Sequence, residues 1–441
     1  MSRKNGGRPR PEVRLAYLAT LYPGLSHSFV QREVHALRAR GLDIHTFALH
    51  DSNPDHVLTE ADRDADESTF TVLPPRWGPF LGAHLRALVT GPRAYLQTLS
   101  FALRRPPGGF HGRWWQLFYF LEAVPIWREC ARRGLTHIHA HFTNPSGDVA
   151  QLVARLGAER QGPDSWSWSF SAHGTDIFND GPGSLAAKVE TASLVICISD
   201  FGRSQVMRLA PEDQWDKVRV ARCGLNGEWF ADDVTGRDNG AGGAPRPDGG
   251  ELRLLSVGRL EREKGHSVLL EALAGLGQRG VPVHLDLVGD GTRLEALQRQ
   301  ARELGIEDRV TFAGAVGQDR IRDHYRRADA FCLPSLGEGI PVVLMEALAT
   351  GLPAIASNTM GIPELIEDGA TGLLVPAGRP DELATAIERL AADPALRRRL
   401  GETGRRKVIE EFNLDHGVDQ LRDAFEDLLA PEAAEAAEAR G

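Results

Sequence analysis

The chain has 441 residues, more than one ordinary hydrophobic core holds, so two domains are expected. A formal net charge of −9 argues against a general nucleic-acid binder. Its four cysteines (Cys130, Cys197, Cys223, Cys332) are scattered without a C-x-x-C pair. That pattern indicates neither a disulfide framework nor a cysteine metal site and fits a reducing, cytoplasmic setting.

Residues 1–11 are basic and polar without the apolar core of a secretory signal, and read as a disordered start. A strand is expected at 13–19, a turn at Tyr22-Pro23-Gly24, a helix over 28–40 stopped by Gly41, and a strand at 44–49. This strand–helix–strand rhythm predicts a parallel sheet. Further strands are expected at 136–141, 167–171, 194–199 and 218–221. Residues 232–250, rich in Gly, Asp and Pro, read as a linker between a first domain at 12–231 and a second at 251–412. The second series has strands at 252–257, 284–288, 310–312, 330–333, 354–356 and 372–375, and helices at 267–277, 292–304, 382–392 and 394–410. A terminal helix at 413–430 follows, then a Glu/Ala-rich tail at 431–441 that lacks an apolar face and is expected to fray. The longest apolar run, 114–127, is short for a membrane span and contains Glu122 and Pro125. The fold class is therefore α/β, two doubly wound Rossmann-like domains facing a cleft, with ligands at the carboxyl ends of strands.

The motifs lie where that rule puts them. Gly258 ends the first strand of the second domain, and Arg259 and Lys264 follow it in the loop. Two cations beside a glycine turn suit a diphosphate, although a solvated basic loop would look the same. Gly289-Asp290-Gly291 is a second strand-to-helix turn. In the segment 335–353, Glu338 and Glu346 stand eight positions apart across a Gly-x-Pro break. With Glu338 in a loop and Glu346 two turns into a helix, both carboxylates can face one ligand. Glu346 sits among Val, Leu, Met and Ala, where a carboxylate needs a partner.

In this order G-R-L-x-x-x-K-G, G-D-G, the tract from Tyr325 through R-R-A-D-A-F-C-L-P-S, E-G-I-P-V-V-L-M-E-A-L-A-T-G-L-P, G-I-P-E-L and T-G-L-L-V-P resemble retaining family 4 glycosyltransferases of the GT-B fold. The resemblance covers about 252–412. In the first half Y-P-G-L-S-H-S-F-V-Q-R-E, H-I-H-A-H-F and S-F-S-A-H-G-T-D-I-F resemble the exopolysaccharide and colanic-acid branch of that family.

The resemblance implies the roles. Arg259 and Lys264 bind a donor diphosphate, Glu338 contacts the transferred sugar, and Glu346 the nucleotide ribose. Gly24 matches a glycine loop facing the diphosphate. The backbone of Gly339, Ile340, Pro341 and Val342 approaches the donor, and groups near Val316 read the base. His173 matches a histidine near the sugar and reaction centre, which cleft closure would bring against Glu338. Asn226 stands where the family has Asp, so it inherits no role. The implied reaction is retaining transfer of a hexose from a UDP- or GDP-sugar to a hydroxyl of a lipid-linked or saccharide acceptor in surface polysaccharide synthesis. The first domain would hold the acceptor, and the terminal helix would pack back on it. A sugar-nucleotide epimerase or phosphorylase on the same fold, or a non-catalytic nucleotide-sugar-binding subunit, stays open. A dinucleotide dehydrogenase fits less well still, because no G-x-G-x-x-G follows the first strand.

No metal or other cofactor is expected, the nucleotide sugar being a co-substrate. His137, His139 and His141 do share one face of a predicted strand, as metal ligands could, but lie in a tract resembling a metal-free family. The region 76–121 has no acidic residue while carrying Arg76, Arg86, Arg93, Arg104, Arg105 and Arg113 among tryptophans and phenylalanines. That pattern suits peripheral contact with an anionic membrane, here the inner face of the cell membrane. It equally suits core aromatics beneath solvated arginines.

Overall fold

The computed structural model describes residues 13–24, 28–52, 60–105, 109–174, 177–178, 183–231 and 250–438. The expected disordered start, and the expected linker apart from Gly250, lie outside those residues. The chain divides into two compact units, residues 1–221 with 418–441, and residues 222–417.

Among its described residues the first unit has seven strands, β1 (Arg14–Leu21), β2 (Asp43–His50), β3 (Phe70–Leu73), β4 (His137–His141), β5 (Ser167–Ala172), β6 (Leu194–Cys197) and β7 (Val218–Val220). They form one parallel sheet in the order β3-β2-β1-β4-β5-β6-β7. The second unit holds β8 (Leu252–Val257), β9 (Val283–Val288), β10 (Val310–Gly314), β11 (Ala330–Leu333), β12 (Ala354–Ser357) and β13 (Leu373–Val375). These too are parallel, in the order β10-β9-β8-β11-β12-β13. Central strands such as β11 and β12 are buried at every position because helices cover both faces, which is why they read as unbroken apolar runs. Each sheet reverses its order once, between β1 and β4 and between β8 and β11, and those reversals open crevices at the strands' carboxyl ends.

The strands expected from sequence are present, with ends shifted by a residue or two. The exception is β3, an edge strand of four residues in which only Val72 is buried, too short to stand out. One boundary is corrected. Residues 222–231, expected to close the first domain, pack with the second: Leu225 bridges to Asn413, and the Trp229 ring lies edge-on to Tyr325 at 5.9 Å. Arg405 Nη2 also donates to the Phe230 carbonyl at 2.9 Å.

The terminal helix, Leu414–Glu438, is assigned to the first unit from Val418 onward. There Phe425 is fully buried, edge-on to His139 at 5.1 Å, and Asp419 pairs with Arg40 at 2.7 Å. The helix runs through residues expected to fray. Alanine and glutamate, which dominate that stretch of sequence, are strong helix formers.

One buried ionic cluster holds the first unit's core helices to its loops. Asp148, on the helix Ser146–Gln161, accepts from Lys188 Nζ at 2.8 Å and pairs with Arg105 at 3.1 Å. Lys188 is wholly buried and also donates to the Thr143 carbonyl (2.6 Å) and to Asn144 Oδ1 (2.8 Å). Removing this carboxylate takes an ionic partner from two buried cations. Asp148→Ala is therefore expected to destabilise the first unit by about 3–5 kcal/mol, read as a lower urea midpoint. An unchanged midpoint would show that the cluster carries no stability.

Candidate active site

In the second unit the loops after β8 and β11 meet at the sheet's reversal. The β8 loop closes in a short 3₁₀ turn, Arg262–Lys264, and then a left-handed Gly265 at φ 68°. A Cβ at Gly265 would run into the Pro334 carbonyl, so glycine is what lets this loop lie against the β11 loop. The contact is fastened by Leu336 N–H donating to the Glu263 carbonyl at 2.7 Å. The Gly289 turn after β9 likewise lies so close to Gly258 that a side chain there would strike its carbonyl.

This packing delivers Lys264 to Glu338. Lys264 Nζ donates to Glu338 Oε1 at 2.6 Å, and Ser335 Oγ donates to the same oxygen at 2.7 Å. Glu338 is buried to 8% exposure, and its own carbonyl accepts from Gly361 N–H at 3.1 Å. Arg259 behaves differently. Its side chain is 66% exposed and meets Glu263 at 3.4 Å, an ion pair that water screens. The sequence placed both cations in one role; the structure holds one against Glu338 and leaves the other on an exposed arm.

Gly339, Ile340 and Pro341 are buried and lead into the helix Val342–Ala349, whose first residue is half-buried. Among the described residues no side chain caps that helix, so its N-terminal amides present partial positive charge a few residues past Glu338 in the chain. Glu346 lies one turn further in, 4% exposed among Leu344, Met345 and Ala347. The partner its surroundings demanded is Tyr325, which is wholly buried and donates to Glu346 Oε2 at 2.9 Å. Burial, and then the Glu346 charge, push the Tyr325 phenol well above its usual range, so it remains a donor. Val316 sits half-buried in the loop after β10. His266, opening the helix His266–Gln278, is buried, and burial followed by the Lys264 charge lowers its pKa to about 4.

The first unit carries a second polar array at its own reversal. His137, His139 and His141 of β4 are all buried, facing Ser167, Ser169 and Ser171 of β5. His137 bonds the Ser167 and Ser169 hydroxyls at 2.8 and 2.7 Å, and His139 bonds those of Ser169 and Ser171 at 2.8 and 3.0 Å. Both rings spend their nitrogens inside the sheet. Burial lowers the His137 pKa to about 3 and that of His139 well below its usual value.

His141 is turned to another purpose. Its Nδ1 lies 3.0 Å from His173 Nε2, and its Nε2 lies 3.0 Å from both Glu33 Oε1 and the Tyr17 hydroxyl. Tyr17 in turn hydrogen-bonds Glu33. If a neutral His141 ring gives its Nε2–H to Glu33, its Nδ1 accepts from His173 Nε2–H. Among the described residues no cluster of three or more His, Cys, Asp or Glu side chains is arranged to hold a metal ion. Gly24 follows β1, half-buried.

Sequence reasoning missed Tyr325, Ser335, Glu33 and Tyr17. Tyr325 and Ser335 lay inside quoted motifs without a role. Glu33 likewise closes the quoted Y-P-G-L-S-H-S-F-V-Q-R-E tract without a role, because one glutamate on an amphipathic helix reads as solvated surface until its neighbours in space are known.

The pattern of the family described as glycosyl transferases group 1 matches residues 244–407. The alpha-D-kanosaminyltransferase of Streptomyces kanamyceticus is 34% identical over 304 residues, 66% of this chain and 77% of that protein. WcaL of Salmonella typhimurium, named for colanic acid biosynthesis, is 26% identical over 422 residues, 91% of this chain and 96% of its own. Anabaena HepE, solved with UDP-glucose, superposes with a TM-score of 0.66 at 18% identity, covering 94% of this chain and 99% of that one. At that identity the likeness shows the fold, which is GT-B.

The buried histidines predict a pH dependence. His137 has its pKa lowered from 6.5 to about 3, so the unfolded chain binds the proton that the folded chain refuses. Its contribution is complete above pH 6.5 and is lost as pH falls toward 3. The stability advantage of wild type over His137→Gln should shrink by about 1.4 kcal/mol per pH unit between pH 6 and 4, measured by urea titration. An advantage constant across that range would contradict a neutral buried ring.

Proposed function

Because the chain belongs to the group 1 glycosyltransferases, we propose that it is a retaining enzyme moving a hexose from a nucleoside diphosphate sugar to an acceptor hydroxyl. The acceptor is a lipid-linked or saccharide precursor of a surface polysaccharide. The observation that carries this reading is the Lys264–Glu338 pair beside an uncapped helix N-terminus. A fixed cation paired with a carboxylate, followed in the chain by a helix N-terminus, suits a ligand that is anionic at one point and rich in hydroxyls at the next.

Bond cleavage leaves oxocarbenium character on the sugar and builds negative charge on the departing diphosphate. Lys264 and the amides at the start of Val342–Ala349 stabilise that charge where it develops, and the exposed Arg259 arm closes onto it. These groups supply what a divalent cation supplies elsewhere, so the reaction proceeds without one. A phosphate that engages Lys264 weakens its hold on Glu338, whose carboxylate then accepts from sugar hydroxyls. Glu346, oriented by Tyr325, accepts from the ribose, and backbone groups near Val316 meet the base. Gly24 lets the first unit's backbone approach the diphosphate. His173 serves the sugar, with His141, Glu33 and Tyr17 as its positioning residues. Retention follows from same-face attack, a donor phosphate oxygen taking the acceptor's proton. The two glutamates are positioners and not the acid and base of a glycosidase.

Three measurements test this together. A nucleoside diphosphate sugar at a hundredfold excess over its dissociation constant should add about 2.7 kcal/mol of stability, visible as a thermal shift. Release of the nucleoside diphosphate should require an acceptor, which separates transfer from epimerisation. Glu338→Ala should melt as a folded protein and lose transfer by 100-fold or more, the scale of removing one well-placed polar group. Full activity in that variant would sink the assignment.

A further inference from the structure

In the first unit, the stretches 77–89 and 110–118 turn many of their large side chains outward. On the helix Trp77–Thr90 the buried residues are small, Ala83 and Ala87, whereas Trp77, Leu81, Leu85, Leu88 and Val89 are exposed. Spacings of three and four residues line the exposed set along one face. Trp77 is 67% exposed and Val89 70%, the reverse of a helix whose stripe packs on a core. The first turns of Gly109–Arg133 add Phe110, Trp114, Trp115 and Phe118, all exposed. Single exposed apolar residues are ordinary, but a set this dense marks an interaction surface.

Charge indicates what covers it. No Asp or Glu occurs from Ser68 to Leu121. Arg76, Arg86, Arg93, Arg104 and Arg113 are all exposed. Arg105, grouped with them in the sequence, is corrected: it is buried against Asp148 and takes no part in the surface. Arg86 lies on the same helix as the apolar face, and Arg104 and Arg113 border an open cleft of about 420 Å³ lined by Leu96, Leu99, Ser100 and Leu103. Guanidinium groups beside tryptophans and leucines match the phosphate-to-hydrocarbon boundary of an anionic bilayer. A second copy of the same face would set arginine against arginine. Among the described residues no helix is long and apolar enough to cross a membrane, so the contact is with its surface.

We propose that the helices Trp77–Thr90 and Pro92–Arg104, with the start of Gly109–Arg133, form a docking surface for an anionic lipid bilayer. The aromatic and leucine side chains enter the headgroup boundary, the arginines bind lipid phosphates, and the cleft gives an acyl chain a place beside them. This inference is independent of the glycosyl-transfer reading, and nucleoside diphosphate binding by the second unit serves as its internal control.

The test is sedimentation of the full chain with phosphatidylcholine vesicles, with or without 30% phosphatidylglycerol. The protein should partition onto the anionic vesicles alone, and less so in high salt. Arg86→Gln with Arg93→Gln should weaken that partition roughly 30-fold. Trp114→Ser with Phe118→Ser should abolish it, and both variants should keep the wild-type melting temperature and nucleotide binding. Equal binding to zwitterionic vesicles, no binding at all, or variants that bind as wild type would overturn the proposal. So would concentration-dependent dimerisation that the same substitutions remove, since a second copy would then own the face.

Discussion

The contact on which the second unit's site depends is a lysine held against a buried carboxylate. Lys264 and Glu338 come from loops that follow different strands, 74 residues apart in sequence, yet lie 2.6 Å apart. Neither would be stable alone there. A carboxylate at 8% exposure needs donors, and it receives two, from Lys264 and Ser335. The pair thus satisfies itself, and under the proposed function a donor phosphate competes with Glu338 for the lysine.

That contact follows from topology. Both loops leave the sheet at the reversal between β8 and β11, where successive connections diverge to opposite faces and leave a crevice. The left-handed Gly265 then removes the side chain that would hold the loops apart. The first unit repeats the geometry with different chemistry. At its reversal β4 lies beside β1, so His141 reaches Tyr17 of β1 and Glu33 of the following helix while also touching His173. The neighbouring His137 and His139 show what the same residue type does when serines absorb it: they become neutral struts of the sheet.

Much of this was legible because it is local. Parallel-sheet strands announce themselves as apolar runs, and Glu338 and Glu346 sit in a segment dense with family motifs. What stayed hidden depends on long-range proximity. Tyr325 neutralises the cost of burying Glu346 from 21 positions away, and Glu33 reaches His141 from 108 positions away. No local periodicity encodes either pairing. The domain boundary was misplaced for a related reason: the glycine-rich stretch after residue 231 looks like the break. Contacts of Leu225 and Trp229 had already carried the chain into the second unit. Arg105 shows the opposite error, a residue grouped by local charge that burial assigns to Asp148.

The relation between Lys264 and Glu338 is open to one direct measurement, calorimetric binding of a bare nucleoside diphosphate to wild type and to Glu338→Gln. If Glu338 competes with phosphate for Lys264 and otherwise serves only the sugar, the variant binds the nucleoside diphosphate at least as tightly as wild type, while binding the nucleoside diphosphate sugar more weakly. A variant that loses affinity equally for both ligands would contradict that division of labour.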